Sequence, residues 1–413
     1  MTLFCKPVNS KKRFAPHRKL DNNYSFTLFD CASSIPENQL TQIIQPEDIF
    51  FNKEYLSLIE ACTNAKLQTR YCIIFSNLKP IGFVNCQITD FNAGIFGDLI
   101  KSEREENESG TLKLLEKYLY KNKDENLLRL FTCGNSIISG EYGFIFREEV
   151  GEKEKHDLVI KVLDIISGEE KKTGMLSAIL IKDFEEPLRP KQLFKSSGYE
   201  MFSVEPNLIV EIPSQVESIE DYVQLFSKKY RNRSKTIQKK FSSVEVRELQ
   251  YDEIVEREDS INTLYLQVFE RAKFKLLQLP KNYFSRCKAI FDDKFTLTGF
   301  FLNQKLIGFN SSFNLSENKF EAHYIGIDYS LNREYELYQN TLCNLISSAL
   351  SKEKHHVNLG RTAAEIKTTI GAKPRDLLCY IKAQNTLSKL IQKSFIRFLQ
   401  PEEWIPRNPF KEE

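Results

Sequence analysis

A short motif occurs twice in the sequence, and Gly82 of the first copy corresponds to Gly308 of the second. Residues 77–83 (Asn-Leu-Lys-Pro-Ile-Gly-Phe) and 303–309 (Asn-Gln-Lys-Leu-Ile-Gly-Phe) share Asn, Lys, Ile, Gly and Phe at the same offsets. Asn-x-Lys before an apolar strand is typical of a tight turn between antiparallel strands. Each motif therefore predicts a β-hairpin, and the repetition predicts two related halves.

The order of predicted elements after each hairpin is also the same in the two halves. Apolar periodicity predicts a strand, a helix, a strand, a helix that ends at a glycine, and a strand. These are 127–133, 156–167, 175–181, 188–197 and 208–212 in the first half, and 320–328, 335–350, 356–359, 363–370 and 377–381 in the second. The two helix-ending glycines are Gly198 and Gly371, which suit the left-handed helix cap. Two copies of hairpin-β-α-β-α-β indicate an α/β protein with an internal duplication.

Further helices are predicted outside the repeated order. Apolar residues recur at helical spacing in four more segments, which are 52–65, 219–241, 261–272 and 386–399. The Lys- and Glu-rich segment 101–126 predicts an exposed insertion in the first half, with a helix over 112–120. This insertion explains why the first half is longer than the second between corresponding strands.

The composition excludes several classes of protein. With 413 residues, of which 41% are apolar, the chain is long enough for two or three domains that each have a core. A net charge of +2 gives no overall field for nucleic acid or membrane. The nine cysteines include no C-x-x-C pair, which predicts reduced thiols in a reducing compartment. No apolar run approaches membrane-spanning length, and the basic segment 1–20 lacks the apolar stretch of a signal peptide, so we expect a cytoplasmic protein.

Three segments of the second half resemble the GNAT acetyltransferase superfamily. They are 324–329 (Tyr-Ile-Gly-Ile-Asp-Tyr), the helix from Tyr335, and 358–367 (Asn-Leu-Gly-Arg-Thr-Ala-Ala-Glu-Ile-Lys), which is followed by Gly371-Ala372. With the duplication, they are similar to the tandem-GNAT group that includes Fem-type peptidoglycan aminoacyltransferases and peptidoglycan biosynthesis/recognition proteins. The resemblance covers about residues 50–390. It implies a mixed α/β (α+β) sheet fold in two tandem GNAT-like domains packed side by side.

The repeat and the resemblance together predict where the domains lie and what they do. We expect an N-terminal extension over 1–50, a first GNAT-like domain over 51–215, a second over 216–395 and a C-terminal tail over 396–413. The resemblance implies an N-acyltransferase that uses an acyl-CoA such as acetyl-CoA as co-substrate, with no permanently bound cofactor. It also implies an amine acceptor, either a small molecule or a compound like a peptidoglycan precursor.

The resemblance also locates the loop for the donor's pyrophosphate. In GNAT proteins this group lies at the N-terminus of the helix after the central strand, where unpaired N–H groups and the helix dipole favour an anion. The loop here is 330–334, in which Asn332 and Arg333 are the candidate binding residues. It departs from the family signature Arg/Gln-x-x-Gly-x-Gly/Ala because it contains no glycine. In the first half, the loop that starts at Gly134 has two more glycines, which suit either phosphate binding or ordinary turns.

Amine acylation needs a base for the ammonium proton and donors for the oxyanion. Strict alternation along the strand 320–328 places four residues on one side, Glu321, His323, Ile325 and Ile327. Glu321 or His323 is the candidate base, although both also suit the polar surface of an edge. Asp328 is a further catalytic candidate, or else a helix cap. Tyr338 is the candidate proton donor, or else a core residue.

Two basic residues follow the predicted strand 356–359. Arg361 and Lys367 are candidate contacts for a phosphate or a carboxylate, and the alternative for Lys367 is a solvated helix face. The adjacent pair His355-His356 has no partner at metal-ligand spacing, so no metal site is predicted.

The segment from Lys228 to Lys240 holds seven cations and no acidic residue. It suits phosphate contacts with tRNA or a nucleotide-linked acceptor, or the solvated face of an amphipathic helix. Three functions stay open: the acyl-CoA-dependent N-acyltransferase that we favour, a Fem-type aminoacyl transferase that uses aminoacyl-tRNA, and a non-catalytic binding protein with the GNAT fold. A tRNA partner is not favoured, because no long helical hairpin of the Fem type is predicted between residues 241 and 290.

Overall fold

The structure is a computed structural model. It describes residues 17–21, 23–62, 67–92, 127–174, 176–188, 191–272, 277–316, 318–401 and 403–411. The charged insertion 101–126 and its predicted helix over 112–120 lie outside the described residues.

The described chain contains fourteen strands and thirteen α-helices. The strands are β1 (Arg18–Lys19), β2 (Tyr24–Phe29), β3 (Leu67–Ser76), β4 (Lys79–Asn92), β5 (Leu127–Cys133), β6 (Phe144–Phe146), β7 (Ala178–Phe184), β8 (Glu200–Glu211), β9 (Glu245–Glu248), β10 (Phe295–Leu302), β11 (Lys305–Asn314), β12 (Lys319–Ile327), β13 (His356–Asn358) and β14 (Lys373–Ala383). The α-helices are α1 (Glu37–Leu40), α2 (Lys53–Cys62), α3 (Glu152–Thr173), α4 (Lys191–Ser196), α5 (Ile219–Gln224), α6 (Lys228–Phe241), α7 (Tyr251–Glu256), α8 (Glu258–Phe269), α9 (Tyr283–Phe291), α10 (Tyr329–Tyr335), α11 (Leu337–Leu350), α12 (Ala364–Thr368) and α13 (Thr386–Leu399). Short 3-10 helices cover Ala32–Ser34, Ile49–Phe51 and Asp292–Lys294.

The chain forms two compact units. Unit 1 takes its described residues from Met1–Glu205 and Asp376–Pro401, and unit 2 from Pro206–Arg375 and Glu402–Glu413. The mixed α/β fold with two related units is confirmed, because in each unit a β-hairpin is followed by a strand, one or two helices, a strand and a short helix, with the added strand β6 in unit 1.

The sheet of unit 1 has the order β1-β2-β3-β4-β5-β7-β14, and β6 pairs with β4 beyond the end of β5. Its pairs are antiparallel except for β5 with β7, which run parallel from Leu130↔Ala178 to Cys133↔Ile181. The sheet of unit 2 has the order β9-β10-β11-β12-β13-β8, and its parallel pair is β12 with β13. Both units are therefore an antiparallel meander followed by one parallel pair and one antiparallel strand.

The last strand of each unit comes from the opposite half of the chain. In unit 1 it is β14, which hydrogen-bonds to β7 in antiparallel register. In unit 2 it is the end of β8, where Ile209–Glu211 pair with β13. The sequence-based boundaries assign residues 376–395 to the second domain, whereas in the structure they lie in unit 1. The reason is that β14 pairs with β7 and that α13 packs on the same apolar cluster as β5 and β7.

The two hairpins share their turn geometry. Asn77 and Leu78 have φ of 47° and 68°, and Asn303 and Gln304 have φ of 49° and 66°. Positive φ at both central residues defines the type I′ turn, whose twist matches that of the strands. The prediction of two tight hairpins is therefore confirmed.

The hairpins also share a bulge, which lies next to the glycine of the repeated motif. The register shifts between Ile74 and Phe75 in unit 1 and between Phe300 and Phe301 in unit 2, next to each turn. A Cβ atom on Gly82 would lie 2.3 Å from the ring of Phe146. Since no side chain fits there, the motif requires glycine at this offset in unit 1.

The predicted helical stripes form the cores of the two units. In α3, five apolar residues belong to the large cluster of unit 1: Leu158, Val159, Val162, Leu163 and Ile166. In α11, four apolar residues pack against β12 and β13 in unit 2: Leu342, Leu345, Ile346 and Ala349. Gly198 and Gly371 have φ of 83° and 92°, as expected for the ends of the corresponding helices.

The predicted helix 219–241 is two helices in the structure. The helix α5 ends at Gln224 and α6 begins at Lys228. Between them Phe226 is buried and forms a β-bridge with Phe410, and the N–H of Ser227 donates to the carbonyl of Pro409 at 2.7 Å. These tertiary contacts outweigh the helical periodicity, which runs through the break. No described helix is both long and apolar enough to cross a membrane.

Candidate active site

The two parallel strands of unit 2 separate after a short stretch of pairing. β12 pairs with β13 only from Lys319↔His356 to Glu321↔Asn358. β13 ends there, while β12 continues to Ile327. Within the described residues, the backbone of β12 from Ala322 onwards therefore has no strand partner on its β13 side. In unit 1 the corresponding strand β5 stays paired with β7 to its last residue.

A bulge in β12 lies directly beyond this point of separation. The pairing with β11 shifts between Ser312↔Ala322 and Asn310↔Ile325, so Ser311 faces both His323 and Tyr324. The hydroxyl of Ser311 accepts from the N–H of Tyr324 and donates to its carbonyl, each at 3.0 Å. One buried side chain thus satisfies the backbone groups that the bulge removes from the ladder.

Because of the bulge, the side chains of β12 do not follow the strict alternation that the sequence predicts. His323 and Tyr324 both contact the ring of Tyr283 in α9, with centroid distances of 5.6 and 6.3 Å. Ile325 and Ile327 belong to a cluster on the other side, with Leu337 of α11. His323 and Ile325 therefore do not share a face, because the bulged residue shifts the alternation by one position.

His323 lies among aromatic rings, and its imidazole is hydrogen-bonded to a tyrosine. Its Nε2 atom lies 2.8 Å from the hydroxyl of Tyr283, and its ring lies 5.0 Å from that of Phe313. Burial lowers the pKa of His323 to about 3. The imidazole is consequently neutral at neutral pH and pairs with the tyrosine as one donor and one acceptor.

Glu321 belongs to a hydrogen-bond chain that links β12 to the loop after β13. Its carboxylate accepts from the side-chain amide of Asn358 at 3.0 Å, and the side-chain oxygen Oδ1 of Asn358 accepts from the N–H of Gly360 at 2.8 Å. Lys367 holds the same loop, since its ammonium donates to the carbonyls of Leu359, Gly360 and Arg361 at 2.7, 3.1 and 2.7 Å. The three donors of Lys367 are thus directed at the protein's own backbone.

Asp328 and Asn332 cap helices. One carboxylate oxygen of Asp328 accepts from the N–H of Ser330 at 3.1 Å, at the start of α10. The side-chain oxygen of Asn332 accepts from the N–H of Tyr338 at 2.9 Å, in the first turn of α11. At the first of these helix starts, where the resemblance places the donor's pyrophosphate, the protein itself supplies a negative charge.

The other predicted residues lie around this end of the sheet. Arg333 is exposed on α10, and its carbonyl accepts from Lys240 at 3.4 Å. Arg361 is half-buried in the loop after β13. Tyr338 packs against the clusters on both sides of α11, and burial raises its pKa above the ordinary value. The structure therefore links Glu321 through Asn358 to the loop that contains Arg361 and that Lys367 holds. It also pairs His323 with Tyr283.

Sequence reasoning missed Tyr283 and Ser311. Tyr283 is fully buried at the start of α9, 40 residues before His323 in the chain, and no motif marks it. Ser311 has a signal in retrospect, because a hydroxyl in the middle of an apolar return strand needs a partner when it is buried. Asn358 lies within the segment that carries the family resemblance, but its side-chain role depends on the register of β12 and β13.

Unit 1 differs from unit 2 at the position of the bulge. By the spacing of the repeated motif, Asn85 of unit 1 corresponds to Ser311 of unit 2. In unit 1 a loop over 134–143 separates β5 from β6 near this position. The backbone of Asn85 accepts from Gly134 and donates to Gly143, at 3.0 and 2.8 Å. The loop thus replaces a one-residue bulge. Lys182 also holds it, since its ammonium donates to the carbonyls of Asn135 and Ile138.

The basic segment forms the solvent-facing side of α6. Ile237 is its buried residue, and six cations are exposed: Lys228, Lys229, Arg233, Lys235, Lys239 and Lys240. Lys240 pairs with Glu336 at 2.9 Å, and Arg231 donates to the carbonyl of Phe226 at 2.9 Å. Among the described residues the other five exposed cations have no carboxylate partner. No group of three or more metal-ligating side chains occurs within the described part of the chain.

The mixed sheet of unit 2, in which antiparallel first strands lead into a parallel pair, is that expected from the resemblance. The fold of this chain is GNAT-like. The sequence matches no family profile and no curated protein.

Several solved structures align with most of the chain. The C-terminal domain of a putative lysylphosphatidylglycerol synthetase from Agrobacterium fabrum is 9% identical, with 87% of this chain and 95% of that chain covered and a TM-score of 0.47. FemX is 10% identical, with 82% and 92% covered and a TM-score of 0.47. A tandem GNAT protein from the clavulanic acid biosynthesis pathway is 8% identical, with 87% and 98% covered and a TM-score of 0.47. At these identities the likeness is one of fold.

Proposed function

We propose that unit 2 is an N-acyltransferase domain that moves an acyl group from an acyl-CoA thioester to an amine acceptor. The observation that supports this proposal is the backbone of β12 beyond Glu321, which has no strand partner on the β13 side within the described residues. A strand edge that is not covered by a neighbouring strand can bind an extended ligand chain alongside it. The pantetheine arm of an acyl-CoA carries two amides in an extended chain, which are suitable partners.

The chemistry requires that one proton be removed from the acceptor. The amine nitrogen attacks the thioester carbonyl, the C–N bond forms, and the C–S bond breaks. We assign the base to Glu321, which lies at the separation point of the strands and is held by Asn358. His323 is a weaker candidate, because a pKa of about 3 gives its ring little affinity for a proton at neutral pH.

Tyr338 and the pair of His323 and Tyr283 have complementary tasks in this proposal. Burial raises the pKa of Tyr338, so its hydroxyl is protonated at neutral pH, and we assign this hydroxyl as the donor to the leaving thiolate. If Tyr283 donates to Nε2 of His323, the ring proton is on Nδ1 and is available to the oxyanion. Arg333 and Arg361 are the cations proposed to meet the phosphates of the donor.

The first experiment measures binding, since it needs no knowledge of the acceptor. Thermal unfolding is followed with CoA, acetyl-CoA, longer acyl-CoAs and acetyl-pantetheine. A ligand at 100 times its Kd adds about 2.7 kcal/mol of stability. We expect stabilisation by the thioesters, and a smaller effect of acetyl-CoA in Arg333→Ala and Arg361→Ala. We expect acetyl-pantetheine to be insensitive to Arg333→Ala, because it lacks the nucleotide.

Catalysis is then tested with Glu321→Gln. This variant keeps an oxygen for Asn358, so we expect unchanged acetyl-CoA binding but at least tenfold slower CoA release with a panel of primary amines. No stabilisation by any thioester would reject the acyl-CoA proposal. If a thioester stabilises the protein but Glu321→Gln releases CoA at the wild-type rate, only the role of this carboxylate is rejected.

A second candidate, aminoacyl transfer from aminoacyl-tRNA, is favoured by the cationic face of α6. Five exposed cations without carboxylate partners among the described residues lie along about 16 Å of helix, given a rise of about 1.5 Å per residue. The capping carboxylate of Asp328 also disfavours a pyrophosphate at α10. Under this candidate, tRNA binds at least tenfold more tightly at 50 mM than at 200 mM salt. We then expect Lys235→Glu and Lys239→Glu to weaken tRNA binding, and acetyl-CoA to give no stabilisation.

A further inference from the structure

Unit 1 contains a row of buried polar atoms that have no hydrogen-bond partner among the described residues. Five of them lie close together in the strand pairing: Asn85 Oδ1, Gln87 Nε2, Thr89 Oγ1, Thr132 Oγ1 and Ser136 Oγ. The four strand residues among them are at most 1% exposed. Buried polar groups in folded proteins are almost always hydrogen-bonded, because each unpaired one costs free energy. Five neighbouring exceptions therefore require an explanation.

The strand register places these residues on one face of the sheet. The β4 residues Asn85, Gln87 and Thr89 alternate along a regular part of the strand, and Gln87 lies directly opposite Thr132 of β5. The intervening residues Cys86 and Ile88 belong to the apolar cluster on the other face. Directly opposed residues have Cβ atoms about 5 Å apart. The polar row is thus one continuous patch.

The patch lies between two separate apolar clusters of unit 1. On one side the cluster beneath α2 includes Tyr71 and Phe83. On the other side the cluster beneath α13 includes Leu130 and Leu180. Neither cluster includes the polar row, although Phe83 and Leu130 lie on the same sheet face as Gln87. The row is a buried polar strip of the sheet face between two apolar clusters.

The orientation of both amide groups in the row follows from their other contacts. Asn85 donates through Nδ2 to the carbonyl of Tyr142 at 3.1 Å, which leaves its oxygen as an acceptor. Gln87 accepts through Oε1 from the N–H of Ser136 at 2.8 Å, which leaves its NH₂ group as a donor. The three hydroxyls can both donate and accept. The row offers one fixed acceptor, one fixed donor and three adaptable groups, none of them charged.

The GNAT-like fold itself does not require this row. At the same repeat offsets unit 2 has Ser311, whose hydroxyl is used by Tyr324, and Phe313, which packs against aromatic rings. The corresponding face of unit 2 is therefore satisfied or apolar. The unpaired atoms of the row are a particular feature of unit 1 within the described part of the chain.

We propose that this row of unit 1 is a binding site for a neutral compound that contains a secondary amide. The carbonyl of a secondary amide accepts from Gln87 Nε2, and its N–H donates to Asn85 Oδ1. The hydroxyls of Thr89, Thr132 and Ser136 bind further amide or hydroxyl groups of the same compound. A charged ligand does not fit, because no side chain of the row can neutralise it.

The test uses N-acetylglycine methylamide as probe and the full chain. Binding is measured by saturation-transfer NMR and titration, with glycerol as a probe that carries hydroxyls but no amide. Thr89→Val and Thr132→Val remove one hydroxyl each at nearly constant shape. Thr296→Val is the matched control, since Thr296 is 3% exposed in unit 2 and its hydroxyl also has no partner among the residues that the structure describes.

We expect the amide probe to bind the wild type and Thr296→Val alike, and glycerol to bind at least tenfold more weakly. We expect the double variant Thr89→Val/Thr132→Val to bind the probe at least tenfold more weakly, with a Tm no lower than that of the wild type. The proposal is overturned if the wild type shows no saturation transfer, if the double variant binds equally well, or if glycerol binds as tightly as the amide. It is also overturned if either single variant lowers the Tm more than Thr296→Val does, because the hydroxyls then serve the fold.

Discussion

The side chains of Glu321 and Asn358 form a 3.0 Å hydrogen bond across the last register pair of the two parallel strands of unit 2. Beyond this pair the strands separate. Asn358→Ala leaves the buried carboxylate without this donor, which we expect to cost about 1–3 kcal/mol. Urea denaturation measures the change, with the exposed Asn232→Ala as the control, expected within about 0.5 kcal/mol. Equal stability of the two variants would show that the pair does not hold the strands.

Lys367 stabilises the loop after β13 through three backbone carbonyls. Lys367→Met keeps most of the side-chain volume but leaves these carbonyls without the ammonium. Hydrogen bonds to a charged group contribute about 1.5–3 kcal/mol each and are not additive, so we expect a loss of about 3 kcal/mol. Lys373→Met, at an exposed position of β14, is the control and should change the free energy of unfolding by less than about 0.5 kcal/mol. A loss as small as that of the control would contradict this interpretation.

His323 makes the stability of the protein depend on pH in a predictable direction. Its pKa in the folded protein is about 3, below the ordinary value of 6.5, so the unfolded chain binds the proton more readily. The contribution is fully present above pH 6.5 and is lost as the pH falls towards 3. We expect the stability difference between wild type and His323→Gln to fall by about 1.4 kcal/mol per pH unit between pH 6 and 4. Chemical denaturation at several pH values tests this, and a constant difference would contradict it.

The first hairpin turn carries a leucine where the backbone favours glycine. Leu78 has φ of 68° and a side chain that is 75% exposed, so it gains little from packing. Leu78→Gly relieves the left-handed strain, which costs about 1–2 kcal/mol for a residue with a Cβ atom. After the larger unfolded-state entropy of glycine is subtracted, we expect a gain of about 0.5–1 kcal/mol. In thermal unfolding Leu78→Ala should not show this gain, because alanine also has a Cβ atom. A gain in Leu78→Ala as large as that in Leu78→Gly would disprove the explanation.

The sequence contains the information for the hairpins and the helices because these depend on local patterns. The repeated motif predicts both tight hairpin turns, and the apolar stripe of α3 predicts its buried face. The alternation of β12 could not be predicted, since the bulge depends on the hydrogen bonds of Ser311 across the sheet. The break between α5 and α6 depends on Phe410, which comes from the far end of the chain.

The candidate site can be predicted only in part for the same reason. Glu321 and His323 can be identified from their strand, but their partners come from distant segments, Asn358 and Tyr283. The capping roles of Asp328 and Asn332 are local, and the sequence allows the first of them as an alternative. The roles proposed for these residues in acyl transfer are predictions for the experiments above.

The exchange of the last strands between the two halves affects the order in which the two units can be completed during synthesis. During synthesis, all residues of unit 2 up to Arg375 leave the ribosome before β14 does. Until β14 is synthesised, unit 1 therefore lacks its final strand and the edge of β7 is uncovered. This is so although most residues of unit 1 are made first. An exposed strand edge is a template for pairing with other chains. Expression of the segment Met1–Glu205 alone should consequently yield an aggregating fragment, because the edge of β7 stays uncovered without β14.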